Sequence, residues 1–368
     1  MPSASRILRL RLGPAAACSA LLLPLAARPL FSFEEYTSKQ LKSMERATAW
    51  ILKAQNKDGS WGLDAKSTGD LTCTALAGMA LLAGGTTERD GERPELIKAL
   101  RDAVDYILGQ AKKAKNDIAL GQTTLIQGKL GTTVHNHFAV VFLTQAYGMR
   151  SQGLSDDTHL EMKAAIQKLT DYIARTQESD GSWHKETFGS LKATCMAWLA
   201  LRSAASIGIR IDTAKVEKTL KFIQKQYNAG AKLFQNGNQD GGYGDYQTLY
   251  ATASSVRVLQ GMGLGGEAMS LNAIDTFIQN VSSGQWKGMY LTVEGEDYLS
   301  AMMFSHTLIG ENGVRWKKWF PYIRDALIAR QSQDGSWTTT ACISGRTFAT
   351  ACALLSLQTP NRLLPIQD

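Results

Sequence analysis

Gln55-Asn56-Lys57-Asp58-Gly59-Ser60-Trp61, Gln177-Glu178-Ser179-Asp180-Gly181-Ser182-Trp183 and Gln331-Ser332-Gln333-Asp334-Gly335-Ser336-Trp337 are one phrase written three times. Weaker copies stand at Gln239-Asp240-Gly241-Gly242-Tyr243 and Ser283-Gly284-Gln285-Trp286. Self-similarity of this kind marks a repeat architecture. Each phrase follows a segment with one charged face, as where Leu96, Leu100, Val104 and Ile107 alternate with Lys98, Arg101, Asp102 and Asp105. Each precedes a segment that is apolar on nearly every face, such as Thr72 to Leu82 or Phe348 to Leu355. One unit is therefore an amphipathic helix, a Gly turn and a wholly apolar helix.

The amphipathic helices are expected over 39–55, 93–113, 157–177, 212–228, 267–281 and 314–331, and the apolar ones begin near Asp70, Thr132, Ser190, Thr248, Glu296 and Arg346. Proline is scarce, at 8 in 368 residues, and none lies between Pro94 and Pro321, which favours long helices over a β fold. A helix without a polar face must be surrounded by protein. Six such hairpins are satisfied when the apolar helices form an inner ring and the amphipathic ones an outer ring. An open solenoid would need polar end caps, and neither Asp70 to Leu82 nor Arg346 to Leu357 is polar. The fold expected is all-α, a single (α/α)6 toroid over residues 39–358.

Residues 1–27 read as a signal peptide: Arg6, Arg9 and Arg11 precede the uncharged run from Leu12 to Ala27, which ends in Leu25-Ala26-Ala27. The run is too short, and too broken by Pro14 and Pro24, for the ~20 apolar residues of a membrane helix. A secreted or periplasmic protein is expected, with residues 28–38 an extension and 359–368 a tail. Removal of the leader lowers the net charge of +7 by three. The one Lys cluster, Lys112, Lys113 and Lys115, ends a helix and reads as solvated surface, so no nucleic acid is implied as a partner. Cys73, Cys195, Cys342 and Cys352 form no CxxC pair; the three in apolar helices read as small core residues.

Gln-x-x-Asp-Gly-Ser-Trp, followed by an opening like Asp70-Leu71-Thr72-Cys73-Thr74-Ala75-Leu76, resembles the QW repeat of the terpenoid cyclase and protein prenyltransferase superfamily. Arg346-Thr347-Phe348-Ala349-Thr350-Ala351-Cys352-Ala353-Leu354-Leu355-Ser356-Leu357-Gln358 is similar to the closing repeat of bacterial prenyltransferase/squalene-oxidase-repeat proteins. The resemblance spans about residues 40 to 366 and implies the toroid more strongly than any reaction. Residue by residue, the recurrent Gln, Gly and Trp read as structural: Gly supplies a positive φ, Asp fixes the turn, and Trp packs between helices with the Gln amide over it.

Class II cyclases of that superfamily open an inner helix with Asp-x-Asp-Asp, whose central acid protonates an alkene. The corresponding phrase is Glu294-Gly295-Glu296-Asp297-Tyr298, right in spacing and longer by a methylene at two positions. Catalytic candidates are therefore Glu296, Asp297 and Glu294, and the alternative is that Glu296 and Asp297 cap the helix. The superfamily's zinc transferases imply an Asp-x-Cys pair, which fails here because Asp70 and Cys73 are three apart and Leu299 follows Asp297. No metal and no cofactor is expected. His135-Asn136-His137 cannot turn both imidazoles into the lumen of a helix ring, since residues two apart point about 200° from each other. Asn236 to Asp240 has calcium-loop spacing but neutral residues at its decisive positions.

Polar openings of the inner helices converge at one mouth, so Asp70, His135, Tyr250, Tyr298 and Arg346 are ligand-binding candidates, with Asp70 and Arg346 expected to meet as an ion pair. The function expected is binding of an apolar small-molecule or lipid ligand, in the resemblance an isoprenoid, with cyclase chemistry degenerate. Peripheral contact with a membrane is compatible with this, and no obligate protein partner is implied. Two alternatives stay open: a cyclase or isomerase using the Glu294 to Asp297 acids, and a carbohydrate-active α/α barrel using Tyr243, Asp245, Trp286 and Arg346.

Overall fold

The computed structural model describes residues 36–85, 93–115, 124–148, 156–183, 190–235, 244–288, 290–291, 294–310 and 313–361. The proposed leader, the calcium-like loop and the fourth copy of the phrase lie outside them. Six inner helices are observed: α2 (Leu71–Ala83), α5 (Val134–Gly148), α7 (Ser190–Ser206), α9 (Gly244–Gly261), α11 (Gly295–Leu308) and α13 (Arg346–Leu357). Six outer helices alternate with them: α1 (Ser38–Ala54), α3 (Pro94–Lys113), α6 (Asp156–Arg175), α8 (Thr213–Lys225), α10 (Ala268–Ser282) and α12 (Val314–Arg330). Each inner helix packs on the next, and α13 packs back on α2, so the ring is closed. Sheet among the described residues is limited to two pairs of two-residue strands, β1 (Trp61–Gly62) with β2 (Gly69–Asp70) and β3 (Tyr227–Asn228) with β4 (Leu233–Phe234).

Burial follows the sequence pattern. All thirteen residues of α2 are buried, whereas α3 buries only the stripe that includes Leu96, Leu100, Val104 and Ile107. The fully buried indoles of Trp61, Trp183 and Trp337 contribute roughly 5 kcal/mol each in area removed from water. Their ring nitrogens donate to the carbonyls of Ile51, Ile173 and Leu327 at 2.8–2.9 Å, at the end of the preceding outer helix. Their backbone N–H groups donate to Thr74, Thr194 and Thr350 on the following inner helix at 2.9–3.0 Å. One residue thus ties both helices of a hairpin.

The glutamine of the phrase also ties its turn to the neighbouring unit. Its amide donates to the turn carbonyl four residues on and to the next outer helix: Gln55 to Ala99 at 2.9 Å, Gln177 to Lys215 at 3.0 Å, and Gln331 to Ser43 at 2.8 Å. The last of these joins the sixth unit to the first. The glycine is equally specific. Gly59, Gly181 and Gly335 have φ of +86°, +95° and +95°, and a Cβ would fall on the carbonyls of Asp102, Lys218 and Arg46 in the adjoining outer helix. The aspartates act as expected: Asp58, Asp180 and Asp334 each accept from the backbone and hydroxyl of the serine two residues on.

Several details differ from expectation. A short helix, α4 (Leu125–Leu130), precedes α5; Thr124 and Gln127 form a capping box at its start, and Gly131, at φ +109°, ends it. Helix α9 begins four residues before Thr248. In the fourth unit Phe234 holds the tryptophan's place, fully buried with its N–H on Thr252 at 3.0 Å. The folded ring also takes in Tyr36 and Asn361, from the expected extension and tail: their side chains bond each other, and Asn361 donates to the Ala83 carbonyl at 2.7 Å. Cys73, Cys195 and Cys352 are free and buried.

Candidate functional site

The six inner helices run the same way, so their N-termini meet at one mouth with their partial positive charge. Around that mouth, α11 brings three buried carboxylates. Glu294, Glu296 and Asp297 are 8%, 2% and 0% exposed. Glu296 does not cap its own helix. It forms an ion pair with Lys192 on α7, both side chains nearly buried. The Tyr250 hydroxyl, from α9, donates to Glu294 and to Asp297, the latter at 3.1 Å. The Lys192 ammonium also lies 4.9 Å from the Tyr250 ring centroid. Burial, and then Asp297, Glu296 and Glu294, raise the Tyr250 hydroxyl well above the usual tyrosine range, so it remains a neutral donor.

Cys342 completes this cluster. A backbone bridge from Glu294 to Ala341 brings its loop alongside α11, and Cys342 adopts a φ of +55°. Potential ligand atoms of Glu294, Glu296 and Cys342 lie within 4.8 Å of one another. Lys192 already supplies the cation there. Burial and the two glutamates push the Cys342 thiol up to about 11, opposed by Lys129.

The other half of the mouth is neutralised locally. Asp70 caps α2 through the Cys73 N–H at 2.9 Å, and burial raises its carboxyl against the hydrogen bonds it accepts and the field of His135. His135 is buried with Nδ1 2.7 Å from the Gln127 amide on α4.

Two of the expected mouth residues lie elsewhere. Arg346 does not meet Asp70: its guanidinium pairs with Asp334 and Ser336 of its own turn and lies 5.2 Å from the Trp50 ring centroid. Tyr298, about 200° around α11 from Glu296, faces the outer ring, where burial and Asp297 push its hydroxyl up to about 12 against Arg330. Of the residues read for sugar chemistry, Trp286 is fully buried, 5.9 Å from the Phe277 centroid, and Asp245 lies in the first turn of α9, while Tyr243 is outside the described residues.

Below the mouth the shaft is nearly closed. A cavity of about 30 Å³, the scale of one water molecule, is lined by Met79, Met196, Met302 and Met303, with Phe138 and three aliphatic side chains. Its two polar members are Arg257 on α9 and His306 on α11, 2% and 6% exposed. Burial, and then Arg257, push the His306 imidazole down to about 3, although a ring N–H donates to the Leu355 carbonyl. Lys192, Arg257 and His306 were not among the expected site residues. The signal was available, because Lys192 and Arg257 are cations inside helices that are otherwise largely uncharged.

No family model matches the chain, and no curated protein matches it in sequence. Solved structures share its fold. A variant of the type II terpene cyclase MstE from Scytonema, in complex with geranylgeranyl dihydroxybenzoate, is 14% identical over 89% of this chain and 98% of its own, with a TM-score of 0.51. A novel alpha-amylase from Clostridium perfringens is 12% identical over 86% of this chain and 97% of its own, at 0.53. A glycosyl hydrolase family 88 structure from Bacteroides vulgatus is 12% identical over 89% and 99%, at 0.51. The chain therefore has an all-α toroid like that of a terpenoid cyclase, and at these identities the likeness is one of fold.

Proposed function

We propose that the protein binds an apolar chain in the shaft of the toroid and does not carry out acid-initiated cyclisation. The observation that carries this reading is an apolar cavity, lined by four methionines, beneath a mouth where Glu296 is paired with Lys192. A proton donor for an alkene must hold its proton and face the substrate in a dry cavity. The Glu296 carboxyl is instead turned to the Lys192 ammonium. Methionine is unbranched and flexible, so the same lining that fills the shaft can move aside for a chain. The terpene cyclase solved in complex with a geranylgeranyl compound supports this use of the fold.

The test combines binding and chemistry. The purified chain and Glu296→Gln are each incubated with a squalene-like polyprene; tryptophan fluorescence follows binding and mass spectrometry follows products. Saturable binding by both, with no cyclised product from either, is expected. A cyclised product made by the native chain and lost in Glu296→Gln would overturn the proposal in favour of a cyclase.

A further inference from the structure

We propose a second binding site, outside the shaft, that takes a primary amine on a short alkyl chain and holds its ammonium on the Gln358 amide. The site is a groove at the end of the ring opposite the mouth, between the outer helices α1 and α3 and against the C-terminal ends of α2 and α13. It is independent of whatever the shaft takes up. Its volume is about 330 Å³, against about 30 Å³ for the shaft cavity. That is room for about ten water molecules, or for an alkyl chain of about eight carbons. The apolar lining comes from Met44 and Leu52 of α1, Leu81 of α2 and Leu96 of α3, with the half-exposed Leu41 at the rim.

Gln358 gives the groove its chemistry. It ends α13, where its backbone N–H donates to the Leu354 carbonyl and its own carbonyl accepts from the Asn361 N–H, both at 2.9 Å, so the residue is held on two sides. The side chain lines the groove and is 2% exposed, yet its Oε1 is buried with no hydrogen-bond partner. A buried acceptor in that state favours a ligand that brings an N–H. Gly84 makes the seat, because a Cβ there would stand 2.9 Å from the Gln358 Nε2 and push the amide aside. The charged residues of the lining are Glu45, Glu95 and Arg93, all exposed. Arg93 has a partner of its own, so the rim offers two carboxylates to a cation and repels an anion. Exposed charges contribute weakly, which leaves the larger share to the buried amide. An ammonium has three donors, enough for Oε1 and a rim carboxylate together. An alcohol has one donor, and a carboxylate has none.

Calorimetric titration at pH 7.5 compares octylamine, octanol and octanoate on the full native chain, Gln358→Met and Gly84→Ala. Native protein is expected to bind one octylamine, roughly 5- to 10-fold tighter than octanol and more than about 10-fold tighter than octanoate, as a charge-assisted hydrogen bond exceeds a neutral one. Gln358→Met keeps the length of the side chain and removes the acceptor, so octylamine should fall to within about threefold of octanol. Gly84→Ala keeps every polar group of the site but displaces the amide, at an ordinary φ of −76°, and should have the same effect with a Tm near native. A squalene-like polyprene supplied to the shaft should leave the octylamine affinity unchanged. Octanoate bound as tightly as octylamine by the native chain, an amine preference that survives in both variants, displacement of octylamine by the polyprene, or no octylamine binding overturns the site. The first, second and last of these leave the shaft reading untouched. The native comparison and Gly84→Ala keep the test decisive if Gln358→Met does not fold.

Discussion

Replacing Lys192 by Met removes the cation that faces Glu296 and leaves three carboxylates in a region where their side chains are 8% exposed or less. Breaking a buried pair by removing one partner costs about 3–5 kcal/mol, because the remaining charge has no compensation. The opposite change, Glu296→Gln, leaves Lys192 over the Tyr250 ring, whose hydroxyl binds Glu294 and Asp297, so the ammonium keeps negative neighbours. It should cost less, about 1–2 kcal/mol. The double variant, with both charges gone, should recover most of the Lys192→Met loss. With an unfolding entropy of about 2.1 cal/mol/K per residue over about 330 residues, 4 kcal/mol is a shift of about 6 °C in Tm. Calorimetry of the four proteins gives the cycle directly. A Lys192→Met variant within 1 °C of native, or a double variant less stable than both singles, would mean that Lys192 does not compensate the buried Glu296 carboxylate.

Three further outcomes are expected. Gly335→Ala places a methyl at φ +95° and onto the Arg46 carbonyl, so urea unfolding should show a loss of at least about 2 kcal/mol; Gly208→Ala, at φ +88° with open space around it, should lose only the conformational part, about 1 kcal/mol. Trp337→Phe keeps the packing of a ring but orphans the Leu327 carbonyl, which should cost about 1–3 kcal/mol in the same assay. His306 is held neutral down to about pH 3, whereas the unfolded chain protonates it below about 6.5. In that window only the unfolded state takes up the proton, so stability should fall as pH drops from 6.5 towards 3. His306→Gln should have a shallower decline over the same range.

The toroid was legible because its signals are local and periodic. Whether a helix shows water one face or none can be read from a dozen neighbouring residues, as Leu71 to Ala83 against Pro94 to Lys113 shows. The turn phrase carries its own chemistry in consecutive residues, and Gln331 even closes the ring by the same bond that Gln55 makes within it. The seat of Phe234 was missed because the flanking Gln and Asp are absent there, although the physical requirement is only a buried ring and a threonine on the next helix.

The mouth was legible in part. Glu294, Glu296, Asp297 and Tyr250 do come together, but the partner of Glu296 is Lys192, 104 positions away, and sequence spacing holds no information about which inner helices face each other across a lumen. Arg346 illustrates the converse. Its position at a helix start suggested the mouth, yet a long flexible side chain reached the acidic turn twelve residues behind it.

Native mass spectrometry of the full chain, purified without detergent, asks whether the shaft holds a ligand. A discrete adduct of one apolar molecule per chain is expected, or its stoichiometric uptake when a squalene-like polyprene is supplied, and loss of the adduct after extraction with organic solvent. A bare polypeptide mass before and after such addition would mean that the shaft is packed core and that the ring of helices serves as a scaffold.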